Sequence, residues 1–156
     1  VALMGPVYGM DAVTPAIVMA QECLIWFAIA IALMNIFFVN RHTRMDEELG
    51  RHEMLRALPF GRLTPAASTL LGAVALNAAI AVLTAIGIMA LNIEGTTAAG
   101  AWVYALSLGA QGLLFAALTL FAAQLFSTSR GALGGGFALL GLFYLMRCSA
   151  ICRAMY

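Results

Sequence analysis

The sequence predicts an all-α, polytopic membrane protein with about four transmembrane helices and one charged helical segment in water. Three observations predict this fold. Hydrophobic residues make up 63% of the 156 residues and charged residues only 10%, whereas a soluble chain carries about 25% charged residues. Several apolar runs reach about 20 residues, enough to span a bilayer. Charge is concentrated in residues 41–62, which must lie in water at one membrane face.

The first predicted span covers residues 16–40 and follows Pro15, a residue that suits the first turn of a helix. Gln21 and Glu22 are its unusual feature, because a carboxylate at membrane depth is costly and marks function by default. If the span begins at Cys23 instead, Glu22 lies at the outer interface and its charge reaches water. Both interpretations stay open, and Gln21 and Glu22 are weak candidates for a translocation path.

Residues 41–62 hold five of the eight basic residues, four of the seven acidic residues and both histidines. The excess of arginine near the membrane predicts that this segment is cytoplasmic. Thr43, followed by Asp46, has the spacing of a capping box and predicts the start of a short helix. Charges pair at helical spacing, as Arg44 with Glu48, Glu47 with Arg51, and Glu53 with Arg56. Each pair contributes about 0.2–0.5 kcal/mol, so the segment is predicted to be helical.

The later spans are predicted at residues 65–92, 101–126 and 132–152, with residues 93–100 outside and residues 127–130 inside. Asn77 and Gln111 are polar residues within the second and third spans. Such residues more often form interhelical hydrogen bonds than ligand sites, and both are also weak candidates for the translocation path. Both ends of the chain are then predicted to lie outside.

Two further patterns concern the ends of these spans. Trp102 and Tyr104 are predicted to anchor the third span at the outer interface, where amphipathic aromatic rings are enriched. Gly131 and Gly135 have the small-xxx-small spacing that allows close approach of helices. The predicted transmembrane segment covers residues 1–156.

The sequence favours neither catalysis nor a resident cofactor. It contains no lysine, and a P-loop needs one. His52-Glu53 lacks the second histidine of a zinc-binding HExxH helix, and Cys23, Cys148 and Cys152 form no zinc or haem pattern. Arginines are interleaved with acids rather than massed, so nucleic-acid binding is not expected. We therefore expect no catalytic residue, no metal and no nucleic-acid partner.

The stretch RHTRMDEELGRHEMLRALPFGR resembles the cytoplasmic loop of bacterial ATP-binding-cassette exporter permeases of the type-2 class, particularly the exporters of polyketide antibiotics. The matching positions are Arg44, Glu47, Glu48, Gly50, Arg51, Glu53, Leu55, Arg56, Ala57, Pro59, Gly61 and Arg62. The order of hydrophobic segments around this stretch agrees over most of the chain. Family permeases are longer, and the ending CSAICRAMY differs from their continuation.

The resemblance implies that residues 41–62 are a coupling helix of an exporter in the bacterial cytoplasmic membrane, and that a separate ATPase subunit binds the ATP. Further implied partners are the lipid bilayer and the remaining helices of a longer permease or a second permease copy. The exported compounds are expected to be hydrophobic or amphipathic. The residues expected to bind the ATPase subunit are Arg44, Glu47, Glu48, Arg51, Glu53, Leu55, Arg56 and Leu58.

A second interpretation comes from a different class of protein. The chain is then a small structural or assembly protein that self-associates through its glycine-rich helix faces, with residues 41–62 as a docking helix. Disruption of that segment uncouples ATP hydrolysis from export in a transporter. In an assembly protein the same change abolishes assembly only.

Overall fold

The computed structural model describes residues 15–45, 64–126 and 128–154, which are helical apart from short turns. The helices are α1 (Pro15–Asn40), α2 (Thr64–Ala90), α3 (Ala98–Leu125) and α4 (Ser129–Ala154). A π-helical turn, Arg41–Met45, continues α1. The prediction of an all-α protein with four membrane-length helices is confirmed. The predicted coupling helix lies, after its first five residues, outside the described residues.

Each helix contains an apolar stretch long enough to cross a bilayer. The shortest, Ser129–Ala150, has 22 residues, or about 33 Å at 1.5 Å per residue, against a hydrocarbon core of roughly 30 Å. Many large apolar side chains lie on the outside of the bundle, among them Trp26, Leu71, Val103 and Leu145. This distribution suits helices that are surrounded by lipid.

The starts of α3 and α4 are set by threonine caps, which hydropathy does not show. The Oγ1 atom of Thr97 accepts a hydrogen bond from the Gly100 amide at 3.1 Å, so α3 begins at Ala98, three residues before the predicted start. Thr128 Oγ1 accepts in the same way from Gly131 at 3.2 Å, just before α4. Such caps satisfy backbone donors that have no partner inside the helix.

The central helix of the bundle is α3, which packs against α1, α2 and α4. Ten residues of α3 are buried, whereas the buried residues described on α4 are Ala132 and Gly136. On α2 every fourth residue is buried, namely Thr69, Ala73, Asn77, Ala81 and Ala85. Ala81 and Ala85 pack against Ala105 of α3. Small residues at this spacing let two helix backbones approach closely.

Two glycines of α4, Gly135 and Gly136, pack against neighbouring helices. A methyl group at Gly135 would lie 2.8 Å from Phe126 Cε2 and 3.3 Å from Ala122 Cβ, both at the end of α3. A methyl group at Gly136 would lie 2.9 Å from Ile36 Cγ2 of α1. Phe137 extends the α1 contact through an edge-on interaction with Phe37, with ring centroids 5.7 Å apart.

The end of α1 corrects one prediction. Thr43 lies inside the π-helical turn, and its hydroxyl donates to the Val39 carbonyl at 2.7 Å. It therefore continues α1 instead of starting a new helix, because its backbone is already helical. The Oγ1 atom of Thr69 on α2 donates to the His42 carbonyl at 3.3 Å. This bond joins the turn to α2.

Candidate functional site

A pair of asparagines crosses the bundle between α1 and α2. Asn35 Nδ2 donates to Asn77 Oδ1 at 3.1 Å, and Asn77 Nδ2 donates to Asn35 Oδ1 at 2.7 Å. Each Nδ2 group also donates to the carbonyl four residues earlier, Ile31 at 2.9 Å and Ala73 at 2.8 Å. Both side chains are buried. All four amide hydrogens therefore have acceptors, as an apolar environment requires.

Gly112 of α3 makes room for this pair. A methyl group at Gly112 would lie 2.8 Å from Asn77 Cγ and 2.9 Å from Asn35 Nδ2. The three helices α1, α2 and α3 thus meet here, where the side-chain amides of α1 and α2 lie against the backbone of Gly112. Asn35 lies five residues before the end of α1, or roughly 8 Å along the axis, so the pair belongs to the half of the bundle next to the π-helical turn.

An apolar cavity of about 400 Å³ occupies the opposite half of the bundle. It lies where α1, α2 and α3 meet the turn between α2 and α3. Thr84, Gly87 and Ile88 of α2 line it, as does Leu91 just after that helix. Gly100, Ala101 and Tyr104 of α3 line it, as does the Thr97 cap. In both sets the spacing is i, i+3, i+4, i+7, as on one face of a helix. We call this space the outer cavity, because the predicted topology places it on the external side.

The third wall of the outer cavity comes from α1, through Ile17, Ala20, Cys23 and Phe27. The turn that closes it holds Gly95 with φ of 88°, a backbone conformation that suits glycine. None of the lining residues carries a formal charge. Polar atoms on the helical walls come from Cys23, Thr84 and Tyr104, together with the Thr97 cap. Such a lining suits an uncharged, mainly apolar molecule.

The candidate path residues do not meet at one place. Asn77 is held by Asn35, and Gln111 is half-buried on α3 beside Gly112. Gln21 is half-buried and Glu22 exposed near the start of α1. None of these four residues lines the outer cavity. Tyr104, predicted as an interface anchor, lines that cavity and is half-buried.

The residues expected to contact an ATPase fall mainly outside the described part of the chain. Arg44 belongs to the π-helical turn. Those outside the described residues are Glu47, Glu48, Arg51, Glu53, Leu55, Arg56 and Leu58. In the part that the structure describes, no group of three or more His, Cys, Asp or Glu side chains could hold a metal ion.

Sequence reasoning missed Asn35, Gly112 and the outer cavity. Asn35 carried a signal, since it is a lone amide in the apolar run LMNIFF, and polar residues in such runs usually face another helix. Gly112 carried none, because glycine is common throughout transmembrane helices. The cavity walls had the helical spacing described above, but small residues at that spacing also occur in packed interfaces.

The fold and site together define a multi-pass helical membrane protein. The chain is similar to the multidrug efflux system permease protein Rv1217c of Mycobacterium tuberculosis (strain ATCC 25618 / H37Rv), with 34% identity over 122 residues, or 78% of this chain. The match covers 21% of that protein, so the chain spans about a fifth of its length. No protein-family profile and no solved structure matches the chain. The similarity supports a relationship to drug-exporter permeases and a location in the bacterial plasma membrane.

Proposed function

We propose that this chain is a membrane-spanning segment of an ATP-driven bacterial exporter of hydrophobic or amphipathic compounds. Residues 41–62 couple it to a separate nucleotide-binding subunit. The observation that carries the proposal is the 34% identity to a multidrug efflux permease, over a chain with four membrane-length helices. ATP coupling rests on the resemblance of the charged segment to a coupling helix, and the helical spacing of its opposite charges in the sequence supports this.

The contacts of the π-helical turn supply a physical route for the coupling. His42 donates from Nδ1 to the Phe38 carbonyl at 2.8 Å, and Thr43 donates to Val39, so the turn is continuous with α1. The bond from Thr69 to the His42 carbonyl adds α2. A displacement of the charged segment therefore reaches α1 and α2 together, and the asparagine pair keeps the two helices in register.

Two glycines of α4 are not free for self-association, although Gly134 and Gly141 of the same helix have no atom within 4 Å of an added methyl group. Gly135 and Gly136 face Phe126 and Ile36 within the same chain. They are therefore already covered by α3 and α1. A self-association interface through these two glycines would compete with the internal packing of α4.

The test measures whether solubilised membranes that contain this chain capture the ATPase subunit encoded nearest to it. Glu53→Arg and Arg56→Glu are compared with the unaltered chain. Reversing a charge at a docking interface weakens binding by about tenfold or more, so we expect a loss of capture of that size. Glu94→Arg and Arg147→Glu are matched controls, because both residues are exposed and lie outside residues 41–62 in the sequence.

Membrane insertion of every variant is checked by extraction with carbonate. Loss of capture by the two segment variants, with normal insertion and normal control variants, supports coupling through residues 41–62. If the unaltered chain captures no ATPase, or if the segment variants capture it equally well, the proposed coupling is wrong. Self-association of the chain in detergent is then the next measurement.

A further inference from the structure

The outer cavity is a cleft between α1, α2 and α3 that opens to the surface of the bundle, since Phe27 and Leu91 of its lining are exposed. Gly87 and Gly100 take part in the walls, and a methyl group at Gly87 would meet no atom within 4 Å. A void of about 150 Å³ already admits benzene, and the outer cavity measures about 400 Å³. Its volume is therefore sufficient for a small organic molecule.

We propose that the outer cavity is a binding site for an uncharged amphipathic molecule with a compact apolar body and one hydrogen-bonding group. Its identity as the exported compound rests on the proposed function. Ligand pockets in proteins typically measure about 300–1,000 Å³ and combine apolar walls with a few polar groups. The outer cavity fits this description, with the Cys23 thiol and the Thr84 and Tyr104 hydroxyls as the polar groups on its helical walls.

The absence of charge in the lining determines the class of ligand. A formal charge taken from water into an apolar site is costly unless it is paired, and no lining residue offers an opposite charge. A hydroxyl, carbonyl or amide on the ligand needs only one donor or acceptor. Tyr104 and Thr84 can supply either. An ionic compound is therefore disfavoured, and an uncharged one with a single polar group is favoured.

The test uses photolabelling of the full chain in membranes with 4-benzoylbenzyl alcohol, an uncharged aromatic ketone with one hydroxyl. Labelled peptides are identified by mass spectrometry. We expect adducts on the peptides that carry Cys23, Thr84 and Tyr104, and saturation of the labelling as the probe concentration rises. Gly87→Leu places a side chain in the cavity wall, and Tyr104→Phe removes a hydroxyl. Each is expected to weaken labelling about tenfold.

Gly141→Leu is the matched control for Gly87→Leu. Gly141 is an exposed helical glycine of α4, and a methyl group there would also meet no atom within 4 Å. Labelling of this variant is expected to equal that of the unaltered chain. Equal labelling of Gly87→Leu and Gly141→Leu, or labelling spread evenly over the lipid-facing surface, would overturn the proposal. A folding defect is detected separately by the thermal unfolding of each variant.

A membrane lipid is the other source of an apolar ligand, so a second arm uses phosphatidylcholine with a photoreactive acyl chain. Labelling of the cavity peptides by the alcohol should stay the same when the acyl-chain length of the surrounding lipid is changed. Cavity labelling by the lipid that excess alcohol does not reduce would assign the cavity to lipid and overturn the proposal. The readout needs no ATPase. Failure of ATPase capture with intact labelling would therefore contradict only the proposed function. Normal ATPase capture without labelling of the cavity would contradict only the proposed site.

Discussion

Asn35 and Asn77 are buried amides, and each Nδ2 group donates to the Oδ1 atom of the other residue and to a carbonyl of its own helix. Inside a membrane, a side chain that loses its partner has no water to replace it. The pair therefore matters more for the alignment of α1 and α2 than for the net stability that its hydrogen bonds add, which is about 0.6 kcal/mol on average in membrane proteins.

Asn77→Leu is predicted to destabilise the bundle by about 1–2 kcal/mol, because it leaves the Asn35 amide buried without its partner. The double variant Asn35→Leu with Asn77→Leu is predicted to cost less than the sum of the single changes, since it leaves no unpaired amide. The measurement is the free energy of unfolding in mixed micelles. Gln124→Leu, a change of an exposed amide on α3, is the control. Strictly additive effects of the two changes would contradict a direct interaction.

At the scale of the element, α4 makes two close glycine contacts with the rest of the bundle. Gly135 faces α3 and Gly136 faces α1, while most of the helix surface is exposed. The contacts lie near the start of α4, so its later turns have fewer neighbours within the described residues.

Gly136→Ala is predicted to destabilise the protein by about 1–3 kcal/mol through overpacking against Ile36. Gly134→Ala makes the same chemical change where nothing lies within 4 Å, so its effect should stay within about 0.5 kcal/mol. Thermal unfolding in detergent, followed by circular dichroism, compares the two variants. Combining Gly136→Ala with Ile36→Ala should cost less than the sum of the single changes. Equal unfolding of the two glycine variants would argue against close contact at Gly136.

The elements were largely predictable from the sequence, and their contacts were not. Hydropathy alone indicates four helices, because a bilayer requires long apolar segments. Helix ends depend on single hydrogen bonds, as at Thr97, and so they differ by a few residues from the predicted ones. The pairing of Asn35 with Asn77 requires the rotation of both helices about their axes, which no local pattern determines.

At the scale of the whole molecule, orientation in the membrane follows from arginine. Five arginines lie in residues 41–62 and Arg130 follows α3, so these positions are predicted to be cytoplasmic and the turn that holds Glu94 external. Glu94 and Arg130 are both exposed. They can therefore report the two membrane faces without disturbing the bundle.

Glu94→Cys is predicted to react with a membrane-impermeant maleimide in intact cells, because the turn that holds Glu94 is predicted to be external. Arg130→Cys is predicted to react only after the cells are permeabilised. Both are made in a background where the natural cysteines, Cys23, Cys148 and Cys152, are replaced by serine. Labelling is read by a shift in gel mobility, and that background without an added cysteine is the control. The opposite pattern would reverse the orientation and place the charged segment outside.

The position of Asn35 gives α1 two arms of unequal length. Arg41 lies six residues away on one side and Cys23 twelve residues away on the other, about 9 Å and 18 Å along the axis. If α1 tilts as a rigid rod about its tie to Asn77, a movement at Arg41 is roughly doubled at Cys23. Cys23 belongs to the wall of the outer cavity. Asn35 would thereby act as the pivot of α1, so that a small displacement at one membrane face produces a larger change in the width of the outer cavity near the other face.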